Sequence, residues 1–298
     1  MRPLAGGLRT WLFVAGADTA AHAAAAASGA DVLIQELEDF TPAALRPRAR
    51  SLAAALYARW RTRGALAGVR VNPLEGEGRV DLAAAMAGKP DFVMMSKVAA
   101  PEQVASLDAE VARLELAHGI APGTTRLVPN VETAAGLLRT FDIARASRRV
   151  FALLVASEDM VADLGTSRSR GGEELAYVRA RFLVECRAAG VEAIDCPYTF
   201  SDARGAARDA RHAKRLGYRA KSLVVAAHAP AINRVFTPTA AEIARARRIV
   251  AAFDRARAAG RDRAKVDGAW IEVPAHAAAT RLLASCGRTP RPQRRKPG

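Results

Sequence analysis

Two carboxylates stand at matching places in the middle of the chain. Glu132 closes the apolar run 127–131, and Glu158 and Asp159 follow the run 150–155. Each run has strand composition and each is followed by helix-forming sequence, the order in which parallel strands present acids at their C-terminal edge. Two such carboxylates, with the other positions left to water and substrate, suit a hard divalent cation: Mg2+, or Mn2+ in its place, which rarely receives a full protein cage. Glu132 and Asp159 are therefore the candidate metal ligands. The competing reading of either acid is an ordinary salt bridge to one of the many arginines, and the position at strand ends favours the metal. Collected over all the strand ends, the polar set is Glu36, Glu38, Asp39, Arg70, Asn72, Lys97, Glu132, Asp159, Asp195 and Lys221. Desolvating so many charges would weaken a purely structural core, whereas a metal and anion site requires them. Arg70 is suited to pair with an oxygen on which charge develops. Lys97 and Lys221 read as partners of the rim acids.

The elements that bring these ends to one rim follow from periodicity. Apolar runs at 11–16, 31–35, 68–72, 91–97, 127–131, 150–155, 192–196 and 220–225 give eight strands, each followed by helical sequence. That alternation argues for a TIM (β/α)8 barrel over a doubly wound sheet. Thr41-Pro42 reads as an N-cap followed by proline at the first helical position, opening a helix towards Arg61. One helix is expected from Thr133 to about Ala146, and the Ser, Arg and Gly of residues 166–172 suggest a mobile loop. The barrel is assigned to residues 1–235. Residues 236–287 are expected to form a C-terminal helical extension that covers the barrel or a neighbouring subunit; within it Thr237-Pro238-Thr239 caps a long helix to Ala259, and Trp270 is expected to anchor the extension in an apolar pocket. Residues 288–298 form a basic, proline-rich tail expected to be disordered. His22, His118 and His212 fall on helices and read as surface residues.

Composition narrows the function classes. The formal charge is +15, yet only six of the 45 basic residues are Lys and no basic run is interleaved with aromatics. The charge therefore reads as a solvated surface, part of it serving a phosphorylated ligand, and no nucleic-acid partner is expected. The three cysteines, Cys186, Cys196 and Cys286, are too few and too widely spaced for a disulfide framework or a cysteine zinc site. No apolar run approaches the roughly 18–20 residues of a membrane span, and the expectation is a cytoplasmic protein without a membrane partner.

The ordered motifs Leu12-Phe13-Val14-x-Gly16, Leu37-Glu38-Asp39, Val69-Arg70-x-Asn72, Lys97-Val98, Val131-Glu132-Thr133-Ala134-x-Gly136, Glu158-Asp159, Ile194-Asp195-x-Pro197-Tyr198, Phe236-Thr237-Pro238 and Asp267-Gly268-x-x-Ile271 span about residues 8–285. Together they resemble the HpcH/HpaI aldolase and citrate lyase beta-subunit family, and within it the citryl-CoA, malyl-CoA and citramalyl-CoA lyase branch. The resemblance implies a TIM barrel, usually trimeric or hexameric, and a Mg2+-dependent retro-aldol or retro-Claisen carbon–carbon lyase acting on a short hydroxy-acyl-CoA. It also implies roles: Glu132 and Asp159 as metal ligands, Arg70 as the substrate-binding arginine, and Glu38 and Asp39 as acids supporting the metal's water shell. Lys97 and Ala156 would line the substrate region, and Glu272 would stand for the acid/base aspartate of the extension. The sequence departs from the family pattern at Glu36 (usually Asp), Ser96 (Pro), Ala156 and Cys196 (both Gly), and Glu272 (Asp). The Ile-His-Pro-x-Gln element is rewritten around His228. These departures leave two alternatives: a metal-dependent 2-oxo-acid aldolase without CoA, and a non-catalytic ligand-binding relative.

Overall fold

The structure is a computed structural model and describes residues 7–286. Within residues 9–236, strands and helices alternate in the order β1 (Thr10–Ala15), α1 (Thr19–Ala27), β2 (Val32–Glu36), α2 (Arg46–Thr62), β3 (Leu66–Val71), α3 (Gly78–Met86), β4 (Phe92–Met95), α4 (Pro101–Ala117) and β5 (Arg126–Val131). Then follow α5 (Ala134–Leu138), α6 (Thr140–Arg145), β6 (Ala152–Val155), α7 (Glu158–Asp163), α8 (Ala176–Ala189), β7 (Glu192–Asp195), α9 (Ala203–Leu216), β8 (Ala220–Leu223) and α10 (Ala229–Phe236). The eight strands pair in sequential order and close into one barrel, β8 pairing back onto β1 in parallel. The chain is thus a TIM barrel over this unit.

Strand alternation gives each strand two buried faces. Leu12, Val14, Leu33, Val69, Val71, Met95 and Leu153 join the cluster packed beneath the helices. The alternate positions fill the barrel: the Trp11 ring meets Phe92 at 5.2 Å and Phe151 at 6.0 Å between centroids. Gly68 makes room for this layer, since a Cβ there would lie 2.3 Å from the Phe92 ring. At the opposite end Gly16 lets the chain leaving β1 pass close to β2, because a Cβ would lie 2.5 Å from the Glu36 carbonyl oxygen.

Several local expectations are corrected. Thr41 does not cap a helix: its hydroxyl donates to the Glu36 carbonyl oxygen at 2.5 Å and accepts from the Gly16 amide at 2.7 Å, tying the ends of β1 and β2 together. A 3-10 turn at Ala43–Leu45 follows before α2 begins. The single helix expected after Thr133 is broken at Arg139, where the Thr140 hydroxyl donates to the Gly136 and Leu137 carbonyls in competition with helical amides. His22 is buried, with Nε2 2.9 Å from the Ala15 carbonyl oxygen and its ring edge-on to Trp60, so it is not a surface residue. Asp195 and Lys221 leave the rim altogether. Strand alternation turns them outward, where Asp195 accepts from Arg179 of α8 (2.8 and 2.7 Å) and from Lys221 Nζ (2.6 Å). Asp209 of α9 completes this buried quartet, pairing with Arg179 at 2.8 Å and with Lys221.

Residues 237–286, with 7 and 8, form a second compact unit. Here α11 (Ala240–Ala258) starts with a reciprocal Thr239–Glu242 capping box, as the Thr-x-x-Glu spacing dictates. β9 (Ala264–Val266) and β10 (Ala269–Ile271) pair antiparallel through Asp267 and Gly268, both at positive φ (50° and 80°), and α12 (Val273–Cys286) ends the unit. Its core gathers Ile249, Phe253, Val266 and Ile271. Alternation that buries Ile271 turns Trp270 outward, so this indole is 57% exposed rather than pocketed. The basic tail at 288–298 lies outside the described residues. Among the described residues, no helix is long and apolar enough to cross a membrane.

Candidate active site

Arg70 occupies an inward position of β3, level with Glu36 of β2 in the parallel register. It is buried, with 6% of its surface exposed, and three acids surround its guanidinium. Nε donates to Glu36 Oε1 at 3.0 Å, Nη2 lies 3.2 Å from Glu38 Oε2, and Nη1 lies 3.8 Å from Glu132 Oε1. The Phe13 and Phe40 rings flank it at 4.9 and 5.6 Å. Charge on every side and aromatic faces against its plane fix the guanidinium in one orientation, with the Nη edge towards Glu38 and Glu132.

Glu36 organises the turn above β2. It is fully buried and accepts from the Glu38 amide at 2.5 Å and the Phe40 amide at 2.6 Å, besides Arg70. The loop bearing Glu38 and Asp39 is therefore built on the Glu36 carboxylate. Burial raises the Glu36 carboxyl above its usual value against the attraction of Arg70 and the two amides. Burial acts the same way on Glu38, but Arg70 and Lys97 outweigh it and hold that carboxyl low. Lys97 Nζ is 2.6 Å from Glu38 Oε1 and 3.8 Å from Asp39 Oδ1. Lys97 holds a φ of 56°, a left-handed conformation uncommon for a residue with a Cβ.

Glu132 immediately follows β5 and is fully buried, yet among the described residues neither carboxylate oxygen accepts a hydrogen bond. Burial pushes its carboxyl up to about 8; Arg70 opposes this, while Asp159 and Glu38 reinforce it by repulsion. An inward, dry carboxylate with both oxygens unsatisfied is the donor that a hard cation fits. Asp159 is half-buried on the first turn of α7, and its negative charge reaches Glu132, Asp39 and Lys97. Among the described residues it has no hydrogen-bond or ion-pair partner. Its neighbour Glu158 is engaged elsewhere, accepting from Thr199 at 2.9 Å and Arg168 at 3.2 Å. Among the described residues no three His, Cys, Asp or Glu side chains converge as a metal cage, so a cation here would draw on two carboxylates and on water or substrate oxygens.

Of the sequence-derived set, Glu36, Glu38, Asp39, Arg70, Lys97, Glu132 and Asp159 are thus electrostatically linked at one end of the barrel. Asn72 is not among them: its amide donates to Asp81 Oδ2 at 2.7 Å and to the Leu37 carbonyl oxygen at 2.9 Å, bracing the backbone. Ala156 is buried beyond β6, and its amide donates to the Val131 carbonyl oxygen beside Glu132. Cys196 and His228 are buried packing residues, the latter bonded to the Ser201 carbonyl. Glu272 is exposed on the C-terminal unit. Sequence reasoning missed Phe13 and Phe40 as the walls around Arg70 and missed how Glu36 supports the site. The acidity of Glu36-Leu37-Glu38-Asp39 was legible, but the inward direction of Glu36 needed the strand's two-residue period counted from Val32.

Known proteins resemble this chain over most of its length. Residues 9–226 match the family model described as HpcH/HpaI aldolase/citrate lyase. The chain is 33% identical over 270 residues to citrate lyase subunit beta of Escherichia coli (strain K12), covering 89% of each chain. It is 29% identical over 290 residues to the L-malyl-CoA/beta-methylmalyl-CoA lyase of Cereibacter sphaeroides (strain ATCC 17029 / ATH 2.4.9), covering 89% of this chain and 90% of that one. Among solved structures, CitE of Mycobacterium tuberculosis in complex with magnesium, acetoacetate and coenzyme A superposes with a TM-score of 0.75 at 27% identity, over 95% of this chain and 98% of that one.

Proposed function

Because the chain belongs to the HpcH/HpaI aldolase/citrate lyase family and is a carbon–carbon lyase, we propose that it cleaves, or forms in reverse, the bond beta to the thioester carbonyl of a short hydroxy-acyl-CoA such as malyl-, citramalyl- or citryl-CoA. Mg2+ is its cofactor, with Mn2+ able to replace it. The observation that carries this reading is Glu132, a buried carboxylate with two unsatisfied oxygens beside the fixed Arg70 guanidinium and within the field of Asp159. The M. tuberculosis relative crystallised with magnesium and coenzyme A supports both the metal and the thioester.

Glu132 and Asp159 would hold the cation, and Glu38 and Asp39 would accept hydrogen bonds from its water shell. When bound, Mg2+ supplies a positive charge that orients the substrate's oxygens and stabilises negative charge as it develops. The chain's own groups do the rest. Cleavage removes the proton of the hydroxyl, turns that carbon into a carbonyl, and sends the pair of the broken carbon–carbon bond to the thioester fragment as an enolate, which is then protonated. Arg70, anchored at Nε by Glu36, turns its Nη edge to the anionic oxygen without having to reorient during reaction. Lys97 adds positive charge at the rim for a carboxylate or phosphate, and Ala156 limits the space beside the ligands. Glu272 supplies an acid/base group, delivered in a homo-trimer or hexamer from a neighbouring copy.

The test measures divalent-cation binding and turnover of the three CoA thioesters for the native protein and for Glu132→Ala. The expected outcome is Mg2+ binding and EDTA-sensitive cleavage of at least one thioester, both lost in the variant. No bound cation, with unchanged turnover in Glu132→Ala, would overturn the reading. Activity only with pyruvate and an aldehyde would assign the CoA-independent aldolase instead, and metal binding without either activity the non-catalytic relative.

A further inference from the structure

The C-terminal unit contains a cavity of about 750 Å3, lined where α11 ends and along the β9–β10 hairpin by Arg255, Arg261, Asp262, Arg263, Lys265 and Trp270. Four cations against one acid give these six residues a formal charge of 4 − 1 = +3. Among the described residues none of the four cations forms an ion pair with a carboxylate, whereas nearby Arg245 and Arg248 both pair with Asp267. Cations gathered in a concavity in excess of its acids repel one another and create a positive potential that a bound anion relieves. Trp270 adds the second feature. It faces outward from β10, 57% exposed and in register with Lys265, with the Arg263 guanidinium 4.4 Å and the Lys265 ammonium 6.0 Å from its ring centroid. An open indole beside several unpaired cations combines an aromatic wall for a planar base with charge for phosphates. The volume suits a ligand of nucleotide size.

We propose that this cavity binds a purine nucleotide carrying two or more phosphates, with Trp270 against the base and Arg255, Arg261, Arg263 and Lys265 around the phosphates. Two sources offer that chemistry: a free nucleoside polyphosphate, and the phosphoadenosine end of a CoA molecule. The site stands on residues of the C-terminal unit alone and goes beyond the lyase reading, on which it does not rest.

The full chain reports on its own site, since of its three tryptophans Trp11 and Trp60 are buried and Trp270 is exposed. ADP, CoA and tripolyphosphate are titrated separately, followed by tryptophan emission and by calorimetry, at low and high salt. ADP is expected to bind saturably with a change in Trp270 emission, more weakly at high salt. Its affinity should fall at least about tenfold in the Arg263→Ala/Lys265→Ala double variant and about tenfold in Trp270→Ala. All three side chains are exposed, so these changes leave the core intact, which circular dichroism verifies. An equal loss for CoA identifies its phosphoadenosine end as ligand; a loss for ADP with CoA unchanged identifies a free nucleotide. The proposal is overturned if ADP does not bind saturably, or if the double variant binds it as the native chain does. It is also overturned if tripolyphosphate binds as tightly as ADP and Trp270→Ala has no effect on either.

Discussion

Glu132 links stability, pH and metal binding in one measurable quantity. Burial, opposed by the Arg70 attraction and reinforced by repulsion from Asp159 and Glu38, pushes its carboxyl to about 8 from an ordinary 4.5. A raised folded value means that the native state holds this proton more tightly than the unfolded chain. The contribution to stability is therefore complete below the ordinary value and is lost as the pH rises through about 8. The difference, 8 − 4.5 = 3.5 pH units, corresponds to about 5 kcal/mol at ~1.36 kcal/mol per unit. Glu132→Gln retains the shape and cannot ionise. Urea unfolding followed by circular dichroism in EDTA, from about pH 5 to about pH 9, should show native stability falling relative to the variant by about 4 kcal/mol, the part of that total lying within this range. Glu36 shifts in the same direction but is present in both proteins, so the difference isolates Glu132. Adding Mg2+ at the alkaline end should restore stability in the native chain only. Because the cation must displace this proton, Mg2+ affinity should rise by up to about tenfold per pH unit below pH 8 and level off above it, read by calorimetry. Parallel stability curves for the two proteins, or a Mg2+ affinity independent of pH over that range, would refute the reasoning.

Arg70→Lys keeps the charge but loses the Nε bond to Glu36 and the planar fork, so kcat/KM in the thioester assay should fall by about 10²–10³. Glu36→Gln should weaken the hold on both Arg70 and the 38–40 loop, lowering kcat by about tenfold or more, while Glu36→Asp recovers part of the loss; steady-state kinetics on the pair separates positioning from charge. Asp195→Asn leaves buried Arg179 and Lys221 facing only Asp209, and should cost about 3 kcal/mol of unfolding free energy with little change in KM, measured by urea denaturation and kinetics. Glu272→Gln should lower turnover by about 10²-fold or more without altering Mg2+ affinity, the two readouts distinguishing proton transfer from metal binding.

The barrel was legible because its determinants are local. Eight apolar runs with strand composition, each followed by a helical pattern, admit few topologies, and the parallel order then places every strand end at one rim. The residues there that carry charge, Glu38, Asp39, Arg70, Lys97, Glu132 and Asp159, were readable from position alone. What sequence could not settle was direction. Asp195 and Lys221 also sit on strands, but one step of the two-residue period sends them outward to Arg179 and Asp209, while Glu36 points inward to Arg70. Composition hides this, because parallel strands are buried on both faces and lack the polar–apolar contrast that would mark inside from outside. Likewise Thr41 carries the composition of a helix start, and only the closeness of the β1 and β2 ends decides that its hydroxyl bonds elsewhere, while Thr140 lies inside a run that reads as one helix until its hydroxyl is seen to reach the Gly136 carbonyl. The acids proposed to hold the cation belong to the sequence. The burial that leaves Glu132 without a hydrogen bond among the described residues, and so suits it to a cation, belongs to the tertiary structure, because a desolvation penalty exists only once the surrounding chain has excluded water.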